Sequence, residues 1–278
     1  AFRQAAMRGR LPRRKHLRAG VAHKAPASGA THRMDAVDWL GNFLSCRDCP
    51  HLAIREKGLC DLGQTCVRDR RARRIDRFFA ASPHESAKYL DHPYFELRVG
   101  AVKYASVFQL RALIDDEEPD VRAMVAQRLP LRLAEKLIDD RDRKVRMAMA
   151  QRVEGAALVK LLFDEDSGVR LIAARRAPPE ILAGATTDDD PQVRCEAARR
   201  IALDRLPAMA RDPEPRVRMI IAERLKPTQL ELLVQDEDLR VRFLVAERCG
   251  AELLAHLRDD PDPEVRRLAQ ARLDEAQQ

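Results

Sequence analysis

An apolar residue followed by arginine recurs every 24 residues, at Leu97-Arg98, Val121-Arg122, Val145-Arg146, Val169-Arg170, Val193-Arg194, Val217-Arg218, Val241-Arg242 and Val265-Arg266. Three more positions hold the same register. Alanine stands five residues after the first member of the pair (Ala126, Ala150, Ala174, Ala198, Ala222, Ala246). Arginine stands seven after it, from Arg128 to Arg272, and aspartate nineteen after it, from Asp116 to Asp260. Eight copies without an insertion define a solenoid, in which each unit buries its apolar face only against its neighbours.

Each unit reads as two helical pieces. Val121, Met124, Val125 and Leu129 share one face of an α-helix of about nine residues. Pro130, Pro178 and Pro227 close such helices, because proline cannot extend the hydrogen-bond ladder. A second apolar set at i, i+3 follows (Leu158 and Leu161, Leu182 and Ala185, Leu206 and Met209, Leu230 and Leu233, Leu254 and Leu257), which predicts a short 3₁₀ or single-turn helix. An Asp-rich corner then precedes the next unit, as at Asp188-Asp189-Asp190-Pro191, and suits the positive end of the next helix. No period-2 alternation occurs in residues 97–278, so the expected class is all-α. The strand pattern of β-lined leucine-rich repeats is absent, and HEAT units, at about 40–47 residues, are nearly twice as long.

The alanine column is expected to let neighbouring helices approach closely. The arginine and aspartate columns are expected to form a network of surface pairs, each worth about 0–1 kcal/mol, in preference to a phosphate groove. Residues 81–278 carry 33 Lys+Arg against 37 Asp+Glu, which argues against a strong nucleic-acid surface on the repeats. Phe108, Phe163 and Phe243 are too few there for a base-stacking platform. Tyr104 replaces the second arginine in the first unit and Gln270 replaces alanine in the last, as in capping repeats.

Four of the six cysteines fall within 21 residues, Cys46, Cys49, Cys60 and Cys66, spaced C-x2-C-x10-C-x5-C. The surrounding segment, residues 34–80, also holds the only tryptophan, Trp39, and is small enough to need a staple. Four thiolates suit a tetrahedral Zn²⁺ or a [4Fe–4S] cluster; Cys49-Pro50 leans toward the cluster and the C-x5-C spacing away from paired zinc knuckles. His51 is a substitute ligand or, preferably, an exposed loop histidine, whereas Cys195 and Cys249 read as small buried hydrophobes. After the cysteines, Arg68, Arg70, Arg71, Arg73, Arg74 and Arg77 form a basic run. It reads as a surface for nucleic acid or an acidic redox partner, or as a solvated linker helix paired with Asp69 and Asp76.

The net charge of +7 is uneven. Residues 1–33 carry nine Arg/Lys and no acid, which predicts a disordered basic tail before Met34, with a nucleic-acid arm or transit-like segment as alternatives. No apolar stretch is long enough to cross a membrane and no apolar region follows the basic N-terminus, so a soluble cytoplasmic protein is expected. The organisation is therefore a tail (1–33), a four-cysteine metal-cluster domain (34–80) and a helical repeat domain (81–278).

Cys46, Cys49, Cys60 and Cys66 together with the V-R-x-x-x-A-x-R units from Val121 to Val265 resemble the leucine-rich repeat variant (LRV) proteins, over roughly residues 34–278. That family joins an N-terminal iron–sulfur domain to 24-residue repeats and is associated with nitrogen-fixing bacteria. The resemblance implies alternating α and 3₁₀ helices in a right-handed superhelix without sheet, and a [4Fe–4S] cluster on the four cysteines. It leaves the biochemical role open.

No P-loop, dinucleotide fingerprint, zincin or nucleophile-elbow motif is present, and the carboxylates follow the repeat period instead of gathering at one place. A non-enzymatic interaction protein is the expectation, with binding to a protein or nucleic-acid partner coupled to the redox or iron state of the cluster. Electron transfer and a purely structural cluster are the alternatives. Because repeat units rely on their neighbours, replacing any of the four cysteines by Ser is expected to abolish the metal chromophore while most helical circular dichroism persists. Absorbance and far-ultraviolet dichroism on the same samples check this.

Overall fold

The structure is a computed structural model that describes residues 36–47 and 49–276; the basic segment 1–33, read above as a tail, lies outside the described residues. The period in the sequence is a period in space. α-Helices at Phe95–Tyr104, Pro119–Arg128, Arg143–Ala150, Ser167–Arg176, Pro191–Arg200, Pro215–Arg224, Leu239–Arg248 and Pro263–Ala276 stack side by side, one per unit. Among the described residues the only β features are two isolated bridges, Val37 with Phe43 and Asp61 with Thr65.

The helices start two residues before the repeated valine. Pro119, Pro191 and Pro215 occupy the first helical position, where the missing N–H costs nothing. Asp142, Asp166, Asp190 and Asp238 accept backbone N–H bonds as N-caps. Leu129, Ala177, Ile201 and Leu225 leave their helices with ψ between 136° and 153°, whether or not a proline follows. The second piece is 3₁₀ at Val107–Leu113, Glu135–Asp139, Pro179–Ala185, Leu203–Met209 and Pro227–Leu233. Two units depart from the expected form: Gly155–Leu162 and Ala251–Leu257 are α-helical. Both are rich in alanine and leucine, the strongest helix formers.

The repeated valines and alanines are fully enclosed, forming an aliphatic spine through successive units. A larger side chain in the alanine column would force the helices apart. Cys195 and Cys249 are buried in this spine, as their positions in the repeats suggested.

The charged columns are not a surface network. Arg122, whose side chain is 5% exposed, closes a two-pronged pair on Asp140, with Nε to Oδ2 at 2.7 Å and Nη2 to Oδ1 at 2.8 Å. Its remaining nitrogen, Nη1, donates to the carbonyls of Asp116 and Glu117 in the corner behind, at 2.7 and 3.0 Å. Each aspartate in turn accepts the N–H two residues on, as Asp140 does from Asp142 at 2.9 Å. The same unit recurs at Arg98–Asp116, Arg146–Asp164, Arg170–Asp188, Arg194–Asp212, Arg218–Asp236 and Arg242–Asp260. The second arginine column has no aspartate partner of this kind. Arg176 Nη1 donates to the carbonyls of Ala150 and Val153 at 2.8 and 2.7 Å, and Arg272 Nη1 to those of Ala246 and Cys249 at 2.7 and 2.9 Å. These arginines place positive charge on carbonyl oxygens that end the preceding unit's helix.

Removing one partner of a buried, fully bonded pair strands the other charge. Arg194→Ala should therefore lower the unfolding free energy by about 3 kcal/mol, and Arg194→Lys should recover only part of it because an ammonium cannot form the fork. Urea unfolding followed by dichroism measures both. Burial by itself pushes the carboxyls of Asp140, Asp188 and Asp260 up, but the facing guanidinium and the N–H two residues on outweigh it and hold them below the usual carboxylate range. A depressed folded-state value stabilises above the unfolded-state value of about 3.9, and the gain disappears as pH falls through the folded-state values. The urea midpoint should therefore fall steeply below about pH 4 as these pairs are protonated.

Candidate metal centre

The cysteines lie in a segment with little regular structure, held by turns. A hairpin carries Val37 across from Phe43; the Asp38 carboxylate accepts the N–H groups of Leu40 and Asn42 at 2.9 and 2.8 Å, and Gly41 supplies the left-handed turn at φ 89°. Cys46 and Cys49 follow, half-buried, before a short helix, α1 (Leu52–Glu56). Cys60 and Cys66, both buried, flank the turn closed by the Asp61–Thr65 bridge. Folding back through that turn brings the two thiols close enough to perturb one another.

The neighbouring Cys60 thiol holds the Cys66 thiol below its usual range, against burial, and the Asp69 N–H donates to the Cys66 carbonyl at 3.4 Å. Burial pushes the Cys46 thiol up, against the pull of Arg55. Cys46, Cys49 and Cys66 lie close enough to act on one another electrostatically, yet among the described residues no three His, Cys, Asp or Glu side chains close around a single ion. Four soft sulfur donors gathered in one short segment fit a thiolate-held cluster.

Asp69 fixes the next element. Its carboxylate accepts the Arg71 N–H at 2.9 Å and the Arg74 guanidinium at 2.6 Å, opening helix α2 (Ala72–Ala81). The basic run is thus not a solvated linker helix: Arg68, Arg70 and Arg71 precede α2, and the helix buries Ile75, Phe78 and Phe79. That face lies on the first repeat helix, α3 (Phe95–Tyr104), where Gly100 admits it; a Cβ there would meet Ile75 and Phe79 carbons at 3.1 Å. Of the expected acidic partners, Asp69 does hold Arg74, but Asp76 instead bonds Lys103 and Tyr104 of α3, at 2.7 and 3.1 Å.

His51 is not an exposed loop residue. It is buried, with its ring edge-on to Phe78 at 5.0 Å. Its Nε2 is 2.5 Å from the Tyr89 hydroxyl, and Nδ1 is 3.5 Å from the Glu85 carboxylate. Burial lowers the pKa of its imidazole. Burial also pushes the Tyr89 phenol up to about 12, helped by the negative charge of Glu85 and of the Cys49 and Cys66 sulfurs. Glu85 and Tyr89 sit in a 3₁₀ segment, Pro83–Tyr89, beyond the boundary at residue 80 that the sequence suggested. Nothing in the local pattern marked them as partners of His51, because the His51–Tyr89 contact joins residues 38 apart.

Fold and site together define an all-helical repeat protein carrying a four-cysteine module at its N-terminal end. Residues 36–87 match the family model described as the LRV protein FeS4 cluster. The chain is 39% identical to the solved structure described as a leucine-rich repeat variant with a novel repetitive protein structural motif, with a TM-score of 0.77, over 83% of this chain and 99% of that one. It belongs to the leucine-rich repeat variant family, in its iron–sulfur-bearing form. It is also 46% identical over 101 residues to the uncharacterized 27.7 kDa protein in the nifB 3′ region of Rhodobacter capsulatus, covering 36% of this chain and 41% of that relative. The match thus spans less than half the length of that curated relative. Among the described residues, no helix is long and apolar enough to cross a membrane.

Proposed function

We propose that Cys46, Cys49, Cys60 and Cys66 hold a [4Fe–4S] cluster and that the protein is a non-enzymatic interaction protein whose binding follows the state of that cluster. The supporting observation is that ligands and exposed side chains share the same loops. The Arg70 N–H bonds the Val37 carbonyl at 3.0 Å, tying the hairpin before Cys46 to the loop after Cys66, and the Cys66 N–H bonds the Arg74 carbonyl at 3.2 Å. Ordering or releasing the four thiolates therefore orders or releases the surface those loops present. When bound, the cluster would supply one-electron exchange. The chain's own residues fix the loops: Asp69 opens α2, and His51, Tyr89 and Glu85 lock the segment after Cys49 onto the 3₁₀ segment that precedes the first repeat. The repeat array, with its recurring charges turned inward, serves as a rigid support.

A second reading, an electron carrier, draws on Cys46 and Cys49 being only half-buried, which would leave one edge of a cluster near solvent. Anaerobically purified protein should contain about four iron and four acid-labile sulfide per chain. Its electron paramagnetic resonance signal should change on dithionite reduction. One zinc without sulfide would overturn both readings. A cluster that dithionite cannot reduce would leave it structural.

A further inference from the structure

The hairpin that leads into Cys46 exposes large apolar side chains that a folded protein ordinarily encloses. Phe43 is 81% exposed and Leu40 66%, and Trp39 in the same hairpin is 41% exposed. Trp39 is held rigid, stacked on Tyr94 with ring centroids 5.8 Å apart and planes 8° from parallel. The Tyr94 hydroxyl donates to the Arg70 carbonyl at 2.9 Å, so this aromatic pair stands against the arginine loop. Arg70 is bonded through its N–H to Val37, the residue bridged to Phe43, and Arg68 lies close enough to Asp38 to stabilise its carboxylate. Arg68, Arg70 and Arg71 are exposed, and among the described residues their guanidinium groups make no hydrogen bond or ion pair. In the repeats, by contrast, the Arg98-to-Arg242 column is bonded to internal partners.

An exposed aromatic and aliphatic hairpin beside arginines that are unpaired among the described residues has the composition of a protein interface, where aromatic side chains and arginine are enriched. We infer that this face docks an acidic protein surface with an apolar centre, a reading that rests on the proposal that this module is the interaction end of the molecule. The arginines fix the sign of the partner's charge. Leu40 at the hairpin tip argues for protein over nucleic acid, because a leucine offers no π-face for a base to stack on. Carboxylates of the partner would pair with Arg68, Arg70 and Arg71, while Trp39, Leu40 and Phe43 lose water against its apolar centre.

The test uses the full chain, purified anaerobically, with three fluorescent probes followed by anisotropy. These are a short peptide alternating glutamate with leucine and phenylalanine, a polyglutamate of the same charge, and a single-stranded DNA of the same charge. The mixed peptide should bind best and weaken with added salt. Leu40→Ser with Phe43→Ser, and separately Arg70→Glu with Arg71→Glu, should each weaken it by about tenfold while dichroism and iron content stay unchanged. Equal binding of polyglutamate, or indifference to the Leu40/Phe43 change, would remove the apolar centre from the inference and overturn it. Tightest binding of DNA would reassign the face to nucleic acid. A concentration-dependent rise in mass that both double variants abolish would reassign it to a second copy of the chain. Iron and sulfide are assayed on the same samples, so loss of the cluster assignment is seen separately from loss of the docking face.

Discussion

The buried arginine fork is the interaction on which the repeat architecture depends. Each guanidinium directs two nitrogens at the carboxylate of the corner ahead and its third at the carbonyls of the corner behind, so one side chain spans two corners. The carboxylate in turn organises the turn that starts the next helix. A charge placed in an aliphatic stack would be costly alone, and here every arm of it is satisfied. That closure explains the unbroken spacing: an insertion would carry the aspartate away from the arginine 18 residues before it and leave both buried and unpaired.

The second arginine column plays the complementary part at the other end of each helix, donating to carbonyls of the preceding unit. Between the two columns both helix termini are bonded across the stack, while valine and alanine supply its dry interior. The result is a support whose recurring charges face one another.

The four-cysteine module is joined to this support through side chains and not by a linker. Helix α2 lays Ile75, Phe78 and Phe79 on α3, and His51 reaches Tyr89 and Glu85 in the 3₁₀ segment just before the first repeat. The module therefore covers the end of the array that would otherwise expose its apolar face. Its outer loops carry Trp39, Leu40, Phe43 and the exposed Arg68, Arg70 and Arg71.

Much of this was legible in the residues themselves. Period, helix placement and the aspartate corner follow from local rules of helix entry and exit, and the four cysteines declare a thiolate site by number and spacing. Burial of the charged columns was not legible, because an arginine that precedes an aspartate by 18 positions looks the same in sequence whether the pair faces water or carbonyl oxygens. The α-helical second segments at Gly155–Leu162 and Ala251–Leu257 could have been found from their alanine and leucine content. The setting of His51, the pairing of Asp76 with α3 and the outward display of Leu40 and Phe43 could not, since each depends on which segments meet in space. Sequence alone determined the repeat and placed four cysteines in one short segment, because both are written in short-range spacing. Only the tertiary structure decided which charges are sealed inside and which side chains stay exposed, because burial is a property of the packed chain and not of any residue in it.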